Sequence, residues 1–216
     1  VREIGHRSVP ARGDEDRVVA ETPRPAGLRD ERPLTDPLRP DLSAARVCHA
    51  PSTVGLRQTV GVAATTCSFQ DVIEAPLVVL WGANPANNQP VFMKYLYLAR
   101  KRACRVVVVN PFLEPGLDRY WVPSNVESAL FGTRMCDLHV PVRPGGDVAL
   151  ANAVLQRLIG RAAVDRSFVD AHTEGFAEVE AAVADQDPGH LLVLAGIDRS
   201  TLESFVDDLV RAGGAV

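Results

Sequence analysis

No two of the four cysteines, Cys48, Cys67, Cys104 and Cys136, are spaced as CxxC, so a zinc knuckle, a thioredoxin-type redox pair and a ferredoxin-type cluster loop are all unsupported. There is no GxGxxG and no GKS/T, which removes the glycine fingerprint for NAD and the P-loop. No apolar run reaches the ~20 residues of a membrane span, and charges stand near the first residue where a signal peptide has its apolar region. A net charge of −4 over 216 residues leaves no basic footprint for nucleic acid. What is present is 46% hydrophobic and 23% charged, ordinary for a soluble α/β domain of good size. Without an export signal the expected location is cytoplasmic.

Residues 1–45 differ from all that follows. They contain no aromatic side chain, mix Arg, Asp and Glu at high density, and carry prolines at 10, 23, 25, 33, 37 and 40. That proline spacing leaves no room for a long helix, and no period-2 strand is present. Such a segment cannot bury enough apolar surface to offset the entropy of ordering it. The expectation is a disordered or non-native N-terminal tail over 1–45, with a globular part over 46–216.

The globular part reads as alternating strands and helices. APLVVLWG (75–82) is a short apolar run closed by glycine, the pattern of a buried parallel strand, and CRVVVVNP (104–111) is a second, stopped by Asn-Pro. Between them NQPVFMKYLYLARKRA (88–103) has helical apolar spacing and a basic last turn. DLHVPV (137–142) is a third, shorter strand, and GGDVALANAVLQRLIGR (145–161) a helix that opens on Asp147. Two short helices broken at Gly175 are expected over 165–186, and another over 199–216 with Ser200 or Thr201 as N-cap and Glu203 at capping-box spacing. Strand, helix, strand at this spacing predicts an open, mostly parallel, Rossmann-like α/β sheet flanked by helices. In such a fold the last helix would feed a further strand.

Ligands of open α/β sheets bind beyond the carboxyl ends of the strands. Three polar loops stand there: GANPANNQP (82–90), NPFLEPGLDRYWVPSN (110–125) and RPGGDVAL (143–150). Amide side chains and the N–H groups of a helix start can hold phosphates, ribose or purine edges. Each loop alone reads more readily as an Asn/Pro-rich turn than as a ligand cradle; three at three strand ends bring a nucleotide-like ligand level with that reading. Ahead of them lies RVCHAPSTVGL (46–56), where Cys48 and His49 are followed by turn residues. Three readings stay open there: a metal-ligating thiolate with a proton acceptor, a Cys–His nucleophile pair, and an inert thiol in a turn. Cys67, Cys104 and Cys136 read as small buried hydrophobes.

In this order, RVCHAPSTVGL, LVVLWGANPANNQP, VVVVNPFLEPGLDRYWVPS and DLHVPVRPGGDVALANAVLQRLI resemble the catalytic (alpha) subunit of molybdopterin-dependent oxidoreductases, in its formate dehydrogenase-like branch. The likeness runs from about residue 46 to 216. It implies part of a larger multidomain fold in which strand ends hold molybdenum as bis(molybdopterin guanine dinucleotide). By motif, Cys48 falls on the position of the metal ligand, with His49 directly after it as proton acceptor. Gly82, Asn84, Asn87 and Asn88 match the first dinucleotide-contacting loop, Asn110 and Pro111 the second, and Gly145, Gly146 and Asp147 the third. Phe112 stands where relatives often carry arginine, so one phosphate or purine contact is missing from the pattern.

The resemblance further implies a two-electron oxidation of formate or a similar small molecule, and an electron-transfer partner. An iron–sulfur cluster would belong to a part of the protein outside this segment. Residues 46–216 are expected to be a partial guanine dinucleotide-binding domain, inactive by itself. The alternative is a non-catalytic nucleotide-binding or assembly module with the same α/β shell.

Overall fold

Val106 and Val108 of the run RVVVV turn their side chains to one side of the sheet, Val107 and Val109 to the other, and all four are completely buried. The two-residue period of a strand produces that alternation, and burial on both faces is what an unbroken β-branched run requires. The computed structural model describes residues 44–122, 128 and 132–213, with side chains from Ala50 onward. The chain divides into two units, residues 1–64 and 65–216.

In the first unit the described residues form one helix, α1 (Ala44–Val60). Residues 1–43 of the expected tail lie outside the described residues. The stretch RVCHAPSTVGL is helical, which corrects the reading of its Pro, Ser, Thr and Gly as turn residues. Pro51 lies inside the helix, where its ring removes the N–H that would bond the carbonyl of Val47. Further along, the Thr59 hydroxyl donates back to the carbonyl of Gly55 at 2.8 Å, so small polar residues are absorbed into the turn spacing.

The second unit holds the sheet. Its elements are α2 (Phe69–Glu74), β1 (Leu77–Trp81), α3 (Pro85–Asn88), α4 (Pro90–Lys101), β2 (Arg105–Val109), α5 (Pro115–Asp118), β3 (Arg119–Tyr120), β4 (Thr133–Arg134), β5 (Leu138–Val140), α6 (Asp147–Gly160), α7 (Arg166–His172), α8 (Phe176–Ala184), α9 (Pro188–Ala195) and α10 (Arg199–Ala212). β1, β2 and β5 pair in parallel in the order β1–β2–β5, while β3 and β4 form a small antiparallel pair. This is the expected α/β class. On one face Val78, Leu80, Val106 and Val108 pack with Val72 of α2 and Met93, Leu96 and Tyr97 of α4. On the other, Leu77, Val107, Val109 and Val140 pack with Leu150 of α6, Leu191 of α9 and Phe205 of α10. Each fully buried side chain of this size contributes roughly 1.5–3 kcal/mol.

Two further readings are corrected. The N-cap of α10 is Asp198, whose Oδ1 accepts the N–H of Thr201 and the hydroxyl of Ser200, both at 2.7 Å. Ser200 and Thr201 therefore lie inside the first turn, and Glu203 pairs with Arg157 and Arg161 on α6 instead of closing a box. A reciprocal capping box does exist, but between Ser68 and Asp71 at the start of α2, which the sequence reading passed over together with α9.

Hydrogen bonds from Thr201 N–H first, then from the Ser200 and Thr201 hydroxyls, hold the Asp198 carboxyl below the usual carboxylate range. A folded pKa below the unfolded one means that the cap's contribution is complete above about pH 3.9 and is lost as pH falls through the lower folded value. Asp198→Ala is therefore expected to lower the melting temperature by a few degrees at pH 7. The gap to the parent chain should close as the pH is taken below about 3.9, followed by circular dichroism.

Candidate functional site

Because β1, β2 and β5 are parallel, their carboxyl ends share one edge, and Trp81, Val109 and Val140 stand in register there. Short bonds tie the segments that leave those ends. The N–H of Gly82 donates to the carbonyl of Val109 at 2.9 Å, and that of Asn110 to Val140 at 3.3 Å. Asn110 Nδ2 reaches across to the carbonyl of Ala83 at 3.1 Å and to Glu114 Oε2 at 2.9 Å. His139 Nε2 donates to the carbonyl of Asn110 at 2.9 Å. Trp81 Nε1 donates to Asp147 Oδ1 at 2.7 Å, tying the start of α6 to the end of β1. The starts of the three sequence-predicted loops are thus at one edge, with Asn84 and Asp147 both following carboxyl ends of strands there; residues 123–125 of the second loop lie outside the described residues.

The predicted residues take different places on this edge. Gly82 and Gly145 are exposed and left-handed, at φ +61° and +83°, and nothing lies within 4 Å of where a side chain would begin. Gly146 is buried for a reason internal to the chain: a Cβ there would stand 2.9 Å from Ala195 Cα and from the carbonyl oxygen of Arg143. Asn84 caps α3 in position but its side chain makes no capping bond, and its Oδ1 is buried without a partner. Asn87 and Asn88 are exposed on α3. Asn110 is 3% exposed, its Nδ2 is fully engaged, and its Oδ1 also lacks a partner. Pro111 is exposed, and Phe112, in the arginine position, is 64% exposed.

Asp147 is the exposed first residue of α6. Direct bonds therefore link the Gly82–Ala83 turn to Asn110, and Asp147 to the end of β1, while Asn87 and Asn88 stand apart from these ties. Cys48 and His49 lie on α1 in the other unit, and their side chains are outside the described residues.

Sequence reading missed Trp81, Glu114 and His139. Two left a signal: Trp81 ends an apolar strand with an N–H that can bond an acceptor, and His139 is a polar residue inside the short strand β5; Glu114 left none. Of the other cysteines, Cys104 and Cys136 are buried, and burial pushes both thiols up, partly offset at Cys104 by the Arg100 guanidinium. They are therefore protonated at neutral pH and act as packing. Cys67 is exposed, contrary to the expectation of burial. Cys104→Ala is expected to cost about 1–2 kcal/mol in denaturant unfolding, from lost volume alone. Among the described residues no group of three or more His, Cys, Asp or Glu side chains is arranged to hold a metal ion, and no helix is long and apolar enough to cross a membrane.

A buried amide oxygen without a partner costs about 1–3 kcal/mol. Two of them, on Asn84 and Asn110, follow the ends of adjacent strands beside open backbone turns. They can accept hydrogen bonds from ribose hydroxyls or from ring N–H groups. The leading N–H groups of α6 can take a phosphate, and the Asp147 carboxylate suits the N–H donors of a guanine. Acceptors, a helix start and backbone-only turns at one sheet edge are a donor and acceptor set that fits a guanine dinucleotide.

A protein-family model described as Molybdopterin oxidoreductase matches residues 38–180. Protein YdeP of Escherichia coli K12 is 29% identical over 185 residues, which cover 80% of this chain and 24% of that protein. Formate dehydrogenase H of the same strain is 28% identical over 171 residues, covering 79% of this chain and 22% of its own. Among solved structures, acetylene hydratase from Pelobacter acetylenicus matches with a TM-score of 0.60 at 22% identity, over 80% of this chain and 21% of its own. That last likeness is one of fold. The chain spans less than a quarter of the length of these relatives.

Proposed function

The chain belongs to the molybdopterin oxidoreductase family, and from that premise we propose that it is the first guanine dinucleotide-binding part of a formate dehydrogenase-like enzyme that uses molybdenum as bis(molybdopterin guanine dinucleotide). The observation that carries this reading is the pair of partnerless acceptors, Asn84 Oδ1 and Asn110 Oδ1, on the sheet edge where the loops meet. Bound to the complete protein, the cofactor supplies two-electron redox chemistry.

The residues of this chain bind and orient. Gly82, Asn84, Asn87 and Asn88 offer backbone and amide groups to the nucleoside. Asn110 and Pro111 set the second loop against the first. Gly145, Gly146 and Asp147 open α6 toward phosphate and base. Cys48 would be the protein ligand to molybdenum, since a soft thiolate suits such a metal. His49 would take the proton released when a substrate C–H bond is oxidised. The substrate is formate or a similarly small molecule, and electrons leave to a partner protein or to an iron–sulfur cluster held elsewhere in the complete polypeptide. The location we propose is the cytoplasm.

The test is molybdenum analysis of the complete protein, paired with formate-dependent reduction of a dye. Stoichiometric molybdenum with turnover is expected. Molybdenum without turnover on formate would keep the cofactor and remove the substrate. No molybdenum would leave a non-catalytic nucleotide-binding or assembly module.

A further inference from the structure

Gly116 is the second residue of α5, after the N-cap Glu114 and Pro115. Its backbone does not take the positive φ of Gly82 or Gly145, so no left-handed turn calls for glycine there. Glycine is also a poorer helix former than any residue but proline. What the position demands is space. A Cβ on Gly116 would stand 2.5 Å from Ala86 Cβ and 4.0 Å from Ala86 Cα, on α3. Carbon atoms in contact sit about 3.5–4.0 Å apart. Ala86 Cβ is fixed to its backbone, so no change of rotamer relieves the overlap. A side chain at position 116 therefore pushes α3 and α5 apart by about 1 Å or more.

α3 and its N-cap carry Asn84, Asn87 and Asn88, the residues assigned above to the nucleoside. The segment is held on either side of Asn84. Before it, the Ala83 carbonyl accepts Asn110 Nδ2 at 3.1 Å, and the same Nδ2 donates to Glu114 Oε2 at 2.9 Å. After it, Ala86 rests against Gly116, two residues beyond Glu114. α5 is anchored by Leu117, which is completely buried. α3 follows the open turn at Gly82, where nothing lies within 4 Å of where a side chain would begin. Of the two, α3 is the one with room to retreat. The Asn84 carbonyl accepts the N–H groups of Asn87 at 3.1 Å and Asn88 at 3.2 Å, so Asn84 moves with the helix. Hydrogen bonds span about 2.7–3.2 Å between heavy atoms. An Asn84 Oδ1 displaced by about 1 Å would miss the donor it is placed to meet.

We propose that Gly116 is a positioning residue for the nucleotide: by lacking a side chain it lets α5 set the place of α3, and with it the place of the Asn84 amide. This rests on the reading of the sheet edge as a guanine dinucleotide site. The first and second loops then act as one body, closed by a hydrogen bond at Ala83 and by direct contact at Ala86. Only the second closure depends on a missing side chain.

The test is a double-variant cycle in the complete protein, read as guanosine monophosphate released by acid per folded polypeptide and as melting temperature. Gly116→Ala is expected to retain about tenfold less nucleotide than the parent, the equivalent of one lost hydrogen bond. In an Ala86→Gly background the opposing Cβ is gone, and the same substitution is expected to change nucleotide content by less than about twofold. A residue that only packs would lose nucleotide in step with melting temperature, and alike in both backgrounds; that result overturns the proposal. Nucleotide held at the parent's level in Gly116→Ala overturns it too. If Gly116→Ala does not accumulate by itself, the double variant decides. Nucleotide equal to that of Ala86→Gly supports the proposal, and a lower content overturns it. A parent protein that releases no guanine nucleotide overturns the reading of the edge and this proposal with it, a failure distinct from the others because it precedes any substitution.

Discussion

In the complete enzyme Cys48→Ser is expected to lower turnover by more than about 100-fold, since changing only the outer partners of metal ligands already costs 10–100-fold. The hydroxyl of serine is poorly ionised at neutral pH and is a hard donor, so on the proposed reading the metal would lose its protein ligand. The proposed dinucleotide contacts belong to loops elsewhere in the chain, so molybdenum content should fall much less than turnover does. Cys104→Ala is the matched control. Its thiol is buried in the core and pushed toward the protonated form, so the variant should lose stability and keep its chemistry. The measurement is paired, molybdenum per polypeptide and dye-linked electron transfer from formate and other small substrates. Unchanged turnover in Cys48→Ser, with loss in Cys104→Ala, would move the metal ligand to the other cysteine.

Asn110→Ala is expected to reduce retained guanine nucleotide by about tenfold or more, the equivalent of one or two lost hydrogen bonds. Asn110 is the residue on which two loops depend. Its Nδ2 bonds the Ala83 carbonyl, 27 residues earlier, and Glu114, four later, while its backbone joins Val140 and His139. Alanine removes the tie between the loops and the partnerless Oδ1 together. It leaves the Ala83 carbonyl and the Glu114 carboxylate short of a donor, so unfolding free energy should also fall by about 1–3 kcal/mol. Circular dichroism should show the sheet intact while nucleotide content drops. Equal nucleotide content in parent and variant would remove Asn110 from the site.

The sheet was legible in the sequence because its strands are buried on both faces. LVVLW and RVVVV are too short and too β-branched for helices, and each ends in the Gly or Asn that opens a loop. That placed the loops, and parallel pairing alone then brings Gly82, Asn110 and Asp147 to one edge. The bonds that hold the edge were not legible. Trp81 to Asp147 joins residues 66 apart, and His139 to Asn110 joins residues 29 apart, and single-sequence patterns carry no information about pairs at that distance.

Local chemistry misled in two places. Pro, Ser, Thr and Gly in RVCHAPSTVGL are turn residues by propensity, yet α1 runs through them. At α10 three residues within one turn, Asp198, Ser200 and Thr201, could all cap, and the carboxylate that precedes the other two took the role. The packing role of Gly146 was hidden for a related reason. Its neighbours Leu194 and Ala195 lie on α9, a helix the sequence reading did not assign.

The most direct measurement is acid release of guanosine monophosphate from the purified complete protein, quantified beside its molybdenum. Two dinucleotides per metal, one of them held at the edge formed by Asn84, Asn110 and Asp147, predict about two guanosine monophosphates for each molybdenum. Molybdenum without guanine nucleotide, or neither, would contradict the account, because the sheet edge would then hold something other than a guanine dinucleotide.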